Sequence, residues 1–213
     1  MPAGTLEQIQ QDGVVLCLRF GSVQPIVEAA RAGMRGGLKV LEITLTTPGA
    51  IEAIAALARE PGAIAGGGTV LTAEDVRAVA KAGGRFALSP VFDAGALAAA
   101  RSAGILYIPG AATPTEILAA HRAGAPVVKV FPSGPLGGPA FLRFVRGPLG
   151  HIPLLPTSGP TSENLADYFD AGAVAIGVGP EVYPPGFTLD GVEKAARRLR
   201  QAVDAWRAAR GRG

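Results

Sequence analysis

Short runs of apolar and β-branched residues alternate along this chain with longer segments whose apolar positions recur every three or four residues. That alternation predicts strands followed by amphipathic helices. The strand-like runs are Val14–Arg19, Val40–Thr44, Ile64–Gly66, Phe86–Ser89, Leu106–Pro109, Val127–Phe131, Leu154–Pro156 and Val174–Val178. Helices are expected near 23–32, 50–59, 73–82, 94–103, 114–123, 139–146, 163–171 and 189–207. Ser22, Thr72, Asp93, Thr113 and Ser162 stand at or near their starts, where a short polar side chain can accept an orphan N–H. Ala-Gly pairs at 32–33, 82–83, 103–104, 123–124 and 171–172 close five helical segments, and glycine just past a helix reads as a left-handed cap. The pairs lie 50, 21, 20 and 48 residues apart, so the two long gaps each hold two units and the chain repeats a strand plus a helix.

Eight such alternations imply parallel strands joined by right-handed crossovers, and eight of them predict a minimal (β/α)8 TIM barrel. A doubly wound open sheet is the structural alternative, but no strand–GxGxxG–helix unit with a downstream acid is present in the sequence. Residues 5–11 read as an extra helix capping the barrel bottom. No linker, charge block or low-complexity tract divides the chain, so residues 1–213 are expected to form one domain.

Composition removes several functional classes. Hydrophobic residues make up 48% of the chain against 17% charged, which excludes disorder. The net charge of +3 comes from no basic block, so nucleic acid is not an expected partner. One cysteine forbids an intrachain disulfide and, with two histidines and no carboxylate cluster, leaves no metal site to argue for. No apolar run reaches the roughly 18 residues of a membrane span, and the N-terminal segment lacks the pattern of a secretory signal. A cytoplasmic location is expected.

Parallel barrel strands are buried on both faces, so a charge within one is costly unless it is paired or working. Alternation in Val127–Phe131 turns Val128 and Val130 toward the helices and Val127, Lys129 and Phe131 toward the barrel axis. The same parity in Val40–Thr44 turns Glu42 inward. Arg19 ends the first strand at the rim where barrel enzymes keep their active sites. Apolar surroundings disfavour the charged form of an amine, giving the neutral nucleophile that imine formation with a carbonyl requires. A neighbouring carboxylate can carry the protons of carbinolamine dehydration. From these two residues alone, a structural ion pair filling the interior stays open as the alternative. Glycines beyond the strands, at Gly66-Gly67-Gly68-Thr69, Thr157-Ser158-Gly159 and Gly177-Val178-Gly179, permit close backbone approach to an anionic ligand or serve simple turns.

Other polar residues carry less. Cys17 reads as a buried structural thiol with no evident base beside it. His121 ends a helix, and His151 falls in a Gly147–Pro153 loop at the non-catalytic end of the barrel. The Arg-rich stretch 197–212 reads as a solvated helix face.

The motifs LEITLTTPGA (41–50), GGGTVLT (66–72), LSPVF (88–92), IPGAATPTE (108–116), VVKVFPSG (127–134) and PTSG (156–159) carry a family resemblance. Over about residues 12–205 the chain resembles the class I aldolases for 2-keto-3-deoxy-6-phosphogluconate and 4-hydroxy-2-oxoglutarate. The resemblance implies a cofactor-independent, Schiff-base carbon–carbon lyase that releases pyruvate from a small oxo acid and is generally a homotrimer. It implies that Lys129 forms the imine and Glu42 is the general acid/base. Gly68 and Thr69 then bind the pyruvyl carboxylate, Phe131 packs on the lysine, and Pro90 bears on stereocontrol. Arg19 meets an anionic substrate group, and Thr157 faces the aldehyde portion with Ser158, Gly159 and Gly179 beyond it.

Two departures stand out. Thr46 occupies a position where some members have an arginine. At the phosphate end this chain reads Thr157-Ser158-Gly159-Pro160 and Gly179-Pro180, and Pro180 removes both a hydroxyl and a backbone donor. Weaker phosphate binding and a shorter, unphosphorylated substrate are expected. The competing functional readings are a barrel isomerase or synthase on a sugar phosphate, with Lys129 only a charge, and a non-catalytic anion-binding barrel with a static Lys129–Glu42 pair.

Overall fold

The structure is a computed structural model and describes residues 3–21 and 25–211. Its first half runs α1 (Ala3–Asp12), β1 (Val14–Leu18), α2 (Ile26–Arg35), β2 (Val40–Thr44), α3 (Ala50–Leu57), β3 (Ile64–Gly68), α4 (Ala73–Lys81), β4 (Phe86–Leu88) and α5 (Ala94–Ala103). The second half runs β5 (Leu106–Ile108), β6 (Gly110–Ala111), α6 (Pro114–Arg122), β7 (Val128–Val130), α7 (Gly138–Leu149), β8 (Leu154–Pro156), α8 (Leu165–Asp170), β9 (Ile176–Val178) and α9 (Leu189–Arg210).

Local chemistry sets many of these boundaries. Thr72 Oγ1 accepts the Asp75 N–H at 3.1 Å while the Asp75 carboxylate accepts the Thr72 N–H at 3.0 Å, closing a capping box on α4. Thr113 and Glu116 build the same box on α6, and Asp93 caps α5 through the Ala96 N–H at 2.6 Å. Gly83, Gly104, Gly124 and Gly172 take left-handed φ values of 86°, 71°, 96° and 89° just beyond their helices. The Ala32-Gly33 pair differs. Gly33 lies inside α2, where an added Cβ would come within 2.4 Å of Leu16 Cδ2, so close packing on β1 selects this glycine and the helix runs on to Arg35. Ser162 is not a helix cap, because α8 starts at Leu165 and Ser162 bonds Glu181 instead. Ser22 lies outside the described residues.

Several strands are shorter than their apolar runs. The fifth run breaks at Pro109, which has no N–H for the ladder, and resumes as the two-residue β6. In contrast β3 continues through its glycines to Gly68 because β2 pairs it as far as Thr44↔Gly68. Helix α7 extends to Leu149 and takes in Gly147 and Pro148, which the sequence pattern assigns to a loop. His151 follows it, 5.4 Å ring to ring from His121 in the last turn of α6.

All strand pairs are parallel, in the orders β5-β4-β3-β2-β1-β9 and β6-β7-β8. The bridges Leu154↔Ala173 and Thr157↔Gly177 tie the β8 segment to the β9 segment, and β5 leads directly into β6, so the sheet curls around on itself. Two apolar layers result. Val15, Val40, Ile64, Phe86, Leu106, Val127 and Leu155 fill the inside of the curl together with Ile9 of α1. Val14, Leu16, Leu41, Ile43, Val128 and Val130 pack outward with the helices. Each fully buried aliphatic contributes about 1.5–3 kcal/mol, so a one-residue register slip that exchanged the layers would be heavily penalised. The alternation that buries Val15, Val40 and Val127 inside also sends Cys17, Glu42 and Lys129 to the same side, one step nearer the C-terminal ends of the strands.

Candidate active site

Above the apolar interior layer, a cavity of about 440 Å³ opens at the C-terminal ends of the strands. Its lining includes Arg19, Glu42, Lys129, Phe131, Thr157, Ser158, Gly159 and Gly179, residues that the sequence singles out from five separate stretches. Gly68, Thr69 and Pro90 are not part of the lining. Cys17, Thr161, Glu181 and Tyr183 line it without a motif to announce them, and Thr44 joins them from within the 41–50 motif.

Lys129 and Glu42 are 6% and 2% exposed, yet they are not bonded to each other. Among the described residues, no ion pair within 4.0 Å joins them. The Lys129 Nζ lies 4.9 Å from the Phe131 ring centroid, within cation–π range. Glu42 is held by other groups. Its Oε2 accepts the Cys17 thiol at 2.6 Å, a contact set by the β1–β2 register that pairs Cys17 with Glu42. Cys17 therefore has a base beside it, contrary to the expectation from its sequence neighbours. Burial, then the Glu42 carboxylate, pushes this thiol well above its ordinary range, which keeps it protonated and able to donate.

The other Glu42 oxygen lies over Gly68. A Cβ built there would meet Glu42 Oε1 at 2.0 Å and Cδ at 2.6 Å, so the absence of a side chain at 68 makes the carboxylate's seat. This glycine acts through Glu42, from beneath the cavity.

Arg19 is fixed by two threonines, its guanidinium donating to Thr69 Oγ1 at 2.9 Å and to Thr46 Oγ1 at 3.2 Å. Thr46 passes a further bond to Thr44, whose hydroxyl meets Thr47 Oγ1 at 3.0 Å. Thr69 thus orients a rim cation from behind. It also has φ 55°, and Ser158 has φ 61°. These two are the left-handed non-glycine residues among those described, and such backbone costs of order 1–3 kcal/mol each, more naturally tolerated where a site needs it. Thr157 is 4% exposed, and its Oγ1 has no hydrogen-bond partner among the described residues. Its methyl lies over Gly177, where a Cβ would come within 2.3 Å. A buried hydroxyl left open beside a cavity is a donor and acceptor for whatever enters.

The cavity thus presents an amine and a carboxylate free of each other, a rim guanidinium and an unsatisfied hydroxyl. Among the described residues no group of three or more His, Cys, Asp or Glu side chains could hold a metal ion, and no helix is long and apolar enough to cross a membrane. What the arrangement can do is add an amine to a carbonyl and move protons around the adduct.

The chain is similar in sequence and fold to known proteins. The family model described as KDPG and KHG aldolase matches residues 6–194. The KHG/KDPG aldolase of Escherichia coli (strain K12) is 35% identical over 194 residues, covering 90% of this chain and 91% of that protein. Among solved structures, the 2-keto-3-deoxy-6-phosphogluconate aldolase of Zymomonas mobilis ZM4 with 3-phosphoglycerate superposes with a TM-score of 0.82 at 28% identity, covering 92% and 94% of the two chains. The KDPG aldolase of Legionella pneumophila, with pyruvate captured as a covalent carbinolamine intermediate, gives a TM-score of 0.81 at 27% identity over 92% and 97%.

Proposed function

The chain belongs to the KDPG and KHG aldolase family, whose members are class I carbon–carbon lyases, and from that membership we propose that Lys129 and Glu42 carry out the retro-aldol cleavage of a 4-hydroxy-2-oxo acid. The products are pyruvate and an aldehyde, glyoxylate from 4-hydroxy-2-oxoglutarate or glyceraldehyde 3-phosphate from 2-keto-3-deoxy-6-phosphogluconate. The observation that carries the reading is that a buried amine and a buried carboxylate line one cavity with no direct ion pair between them.

The Lys129 amine adds to the C2 carbonyl, and the resulting carbinolamine loses water as Glu42 supplies a proton to the leaving hydroxyl. The protonated imine then draws electrons from the C3–C4 bond as a proton leaves the C4 hydroxyl. The aldehyde departs, and an enamine of pyruvate stays on Lys129. Protonation at C3 and hydrolysis of the imine release pyruvate and restore the amine. Arg19, held by Thr69 and Thr46, is placed to meet the substrate's C1 carboxylate from the rim, so Thr69 assists through the guanidinium. Phe131 confines the lysine stem, and Thr157 offers its open hydroxyl to the aldehyde portion.

The curled sheet supports a (β/α)8 barrel in which β5 and β6 count as one interrupted strand, with α1 closing the lower end through Ile9. We take the chain as a single cytoplasmic aldolase domain that assembles as a homotrimer. Exposed apolar side chains at Leu71, Val91 and Phe144 suit such burial, and sedimentation at three times 21.5 kDa tests it. The activity itself is tested by following pyruvate release from 4-hydroxy-2-oxoglutarate with lactate dehydrogenase. Turnover should survive a chelator and vanish in Lys129→Met. Chelator-sensitive turnover, or turnover retained without the amine, overturns the mechanism.

A further inference from the structure

We infer that Glu181 is a specificity-determining residue that makes the outer end of the cavity disfavour a phosphate, so that the oxo acid cleaved here carries no phosphate at its aldehyde end. This rests on the aldolase reading above and names the substrate class for the same site.

The outer end of the cavity is built by the segments after β8 and β9, where side chains of the chain itself hold two backbone donors. The Thr161 N–H donates to Asn164 Oδ1 at 2.8 Å, and the Ser162 N–H donates to Glu181 Oε2 at 2.8 Å. The Ser162 hydroxyl donates to the other Glu181 oxygen. Pro160 and Pro180 have no N–H to give. Glu181 therefore brings a carboxylate to this end of the cavity and holds both Ser162 donors itself. Among the described residues no Lys or Arg lies within 4.0 Å of its carboxylate to neutralise it.

A phosphate brought to this end meets a like charge, a juxtaposition that costs affinity. A sugar hydroxyl meets the opposite situation, because a carboxylate oxygen that already accepts one bond still has a lone pair for another. Charge on the β1 side of the cavity is different in kind. There the substrate's C1 carboxylate, which every 2-oxo acid carries, meets the Arg19 guanidinium from the rim.

The test compares 2-keto-3-deoxygluconate with its 6-phosphate, which differ only in the phosphate. Wild-type kcat/KM should favour the unphosphorylated acid by about tenfold or more. Glu181→Gln keeps an acceptor for the Ser162 N–H, removes the charge and turns the other oxygen into a donor that the Ser162 hydroxyl can accept, and it should move the ratio toward the phosphate by about 10- to 100-fold. The shift should shrink at high ionic strength, which a merely structural effect would not do. Glu181→Asp, which keeps the charge, should retain the wild-type preference. A wild-type preference for the phosphate above about tenfold, or a Glu181→Gln ratio within about twofold of wild type, overturns the inference. Borohydride trapping of pyruvate on Lys129, run on the same samples, separates the two levels. Adduct with an unmoved ratio sinks the specificity claim alone, and no adduct in wild type sinks the aldolase reading as well.

Discussion

Replacing Gly68 with alanine tests how the carboxylate of Glu42 is held. Gly68 pairs with Thr44 and Leu88 in the sheet and is not among the left-handed glycines, so its backbone accepts an L-residue and the perturbation is the methyl group alone. That methyl would stand 2.0 Å from Glu42 Oε1 and 2.6 Å from its Cδ and Cγ, where ordinary contact begins at 3.4 Å. The carboxylate must withdraw by more than an ångström, and it then loses the 2.6 Å Cys17 contact on its other oxygen. Overpacking of this kind costs about 1–3 kcal/mol, equivalent to roughly 2–12 °C in melting temperature for a chain of this size. Catalysis should suffer more. An ångström of misplacement costs about 10²-fold, and complete loss of a general acid/base costs up to about 10⁴-fold, so kcat should fall between those bounds. Stopped assays of pyruvate release measure the second quantity, and thermal melts measure the first. In a Glu42→Ala background the methyl has room, and its stability cost should largely disappear, a coupling that a double-mutant cycle reads directly. A Gly68→Ala enzyme with kcat within about threefold of wild type, or equal melting shifts in both backgrounds, would refute the claim that this glycine exists to seat Glu42.

Glu42→Gln should keep the circular dichroism of the wild type while slowing turnover by about 10²- to 10⁴-fold, and near-wild-type rates would return Glu42 to a structural role. The raised thiol of Cys17 makes a statement about stability against pH. Its folded form resists ionisation more than its unfolded form, so its contribution is intact below the ordinary thiol range and is lost as pH rises through and above it. Denaturant melts of wild type should therefore weaken above about pH 9 more than those of Cys17→Val, and parallel curves would contradict the assignment.

The layers of the fold are legible because burial on both faces of each strand forces a strict period of two. Knowing that Val15, Val40 and Val127 face inward is enough to send Glu42 and Lys129 to one side, and the structure agrees. Helix starts at Thr72, Asp93 and Thr113 are legible because the cap bond closes within three residues. What depends on distant packing is not. Gly33 has the composition of a helix stop and is instead a packing glycine against Leu16, a contact made across the sheet–helix interface. Cys17 is inward by parity, but only the β1–β2 register reveals Glu42 as its neighbour. Gly68 belongs to a recognisable motif, yet its purpose is visible only once the Glu42 side chain lies over it. Glu181 and Ser162 are 19 residues apart in segments that follow different strands, and their pairing leaves no local mark.

Mass spectrometry after borohydride reduction in the presence of pyruvate tests the central claim most directly, because reduction freezes the imine as a stable secondary amine. The chain has four lysines, Lys39, Lys81, Lys129 and Lys194. The adduct should be found on the peptide carrying Lys129, in stoichiometric yield, and be lost in Lys129→Met. An adduct on Lys39, Lys81 or Lys194, or none at all under conditions that support turnover, would contradict the account.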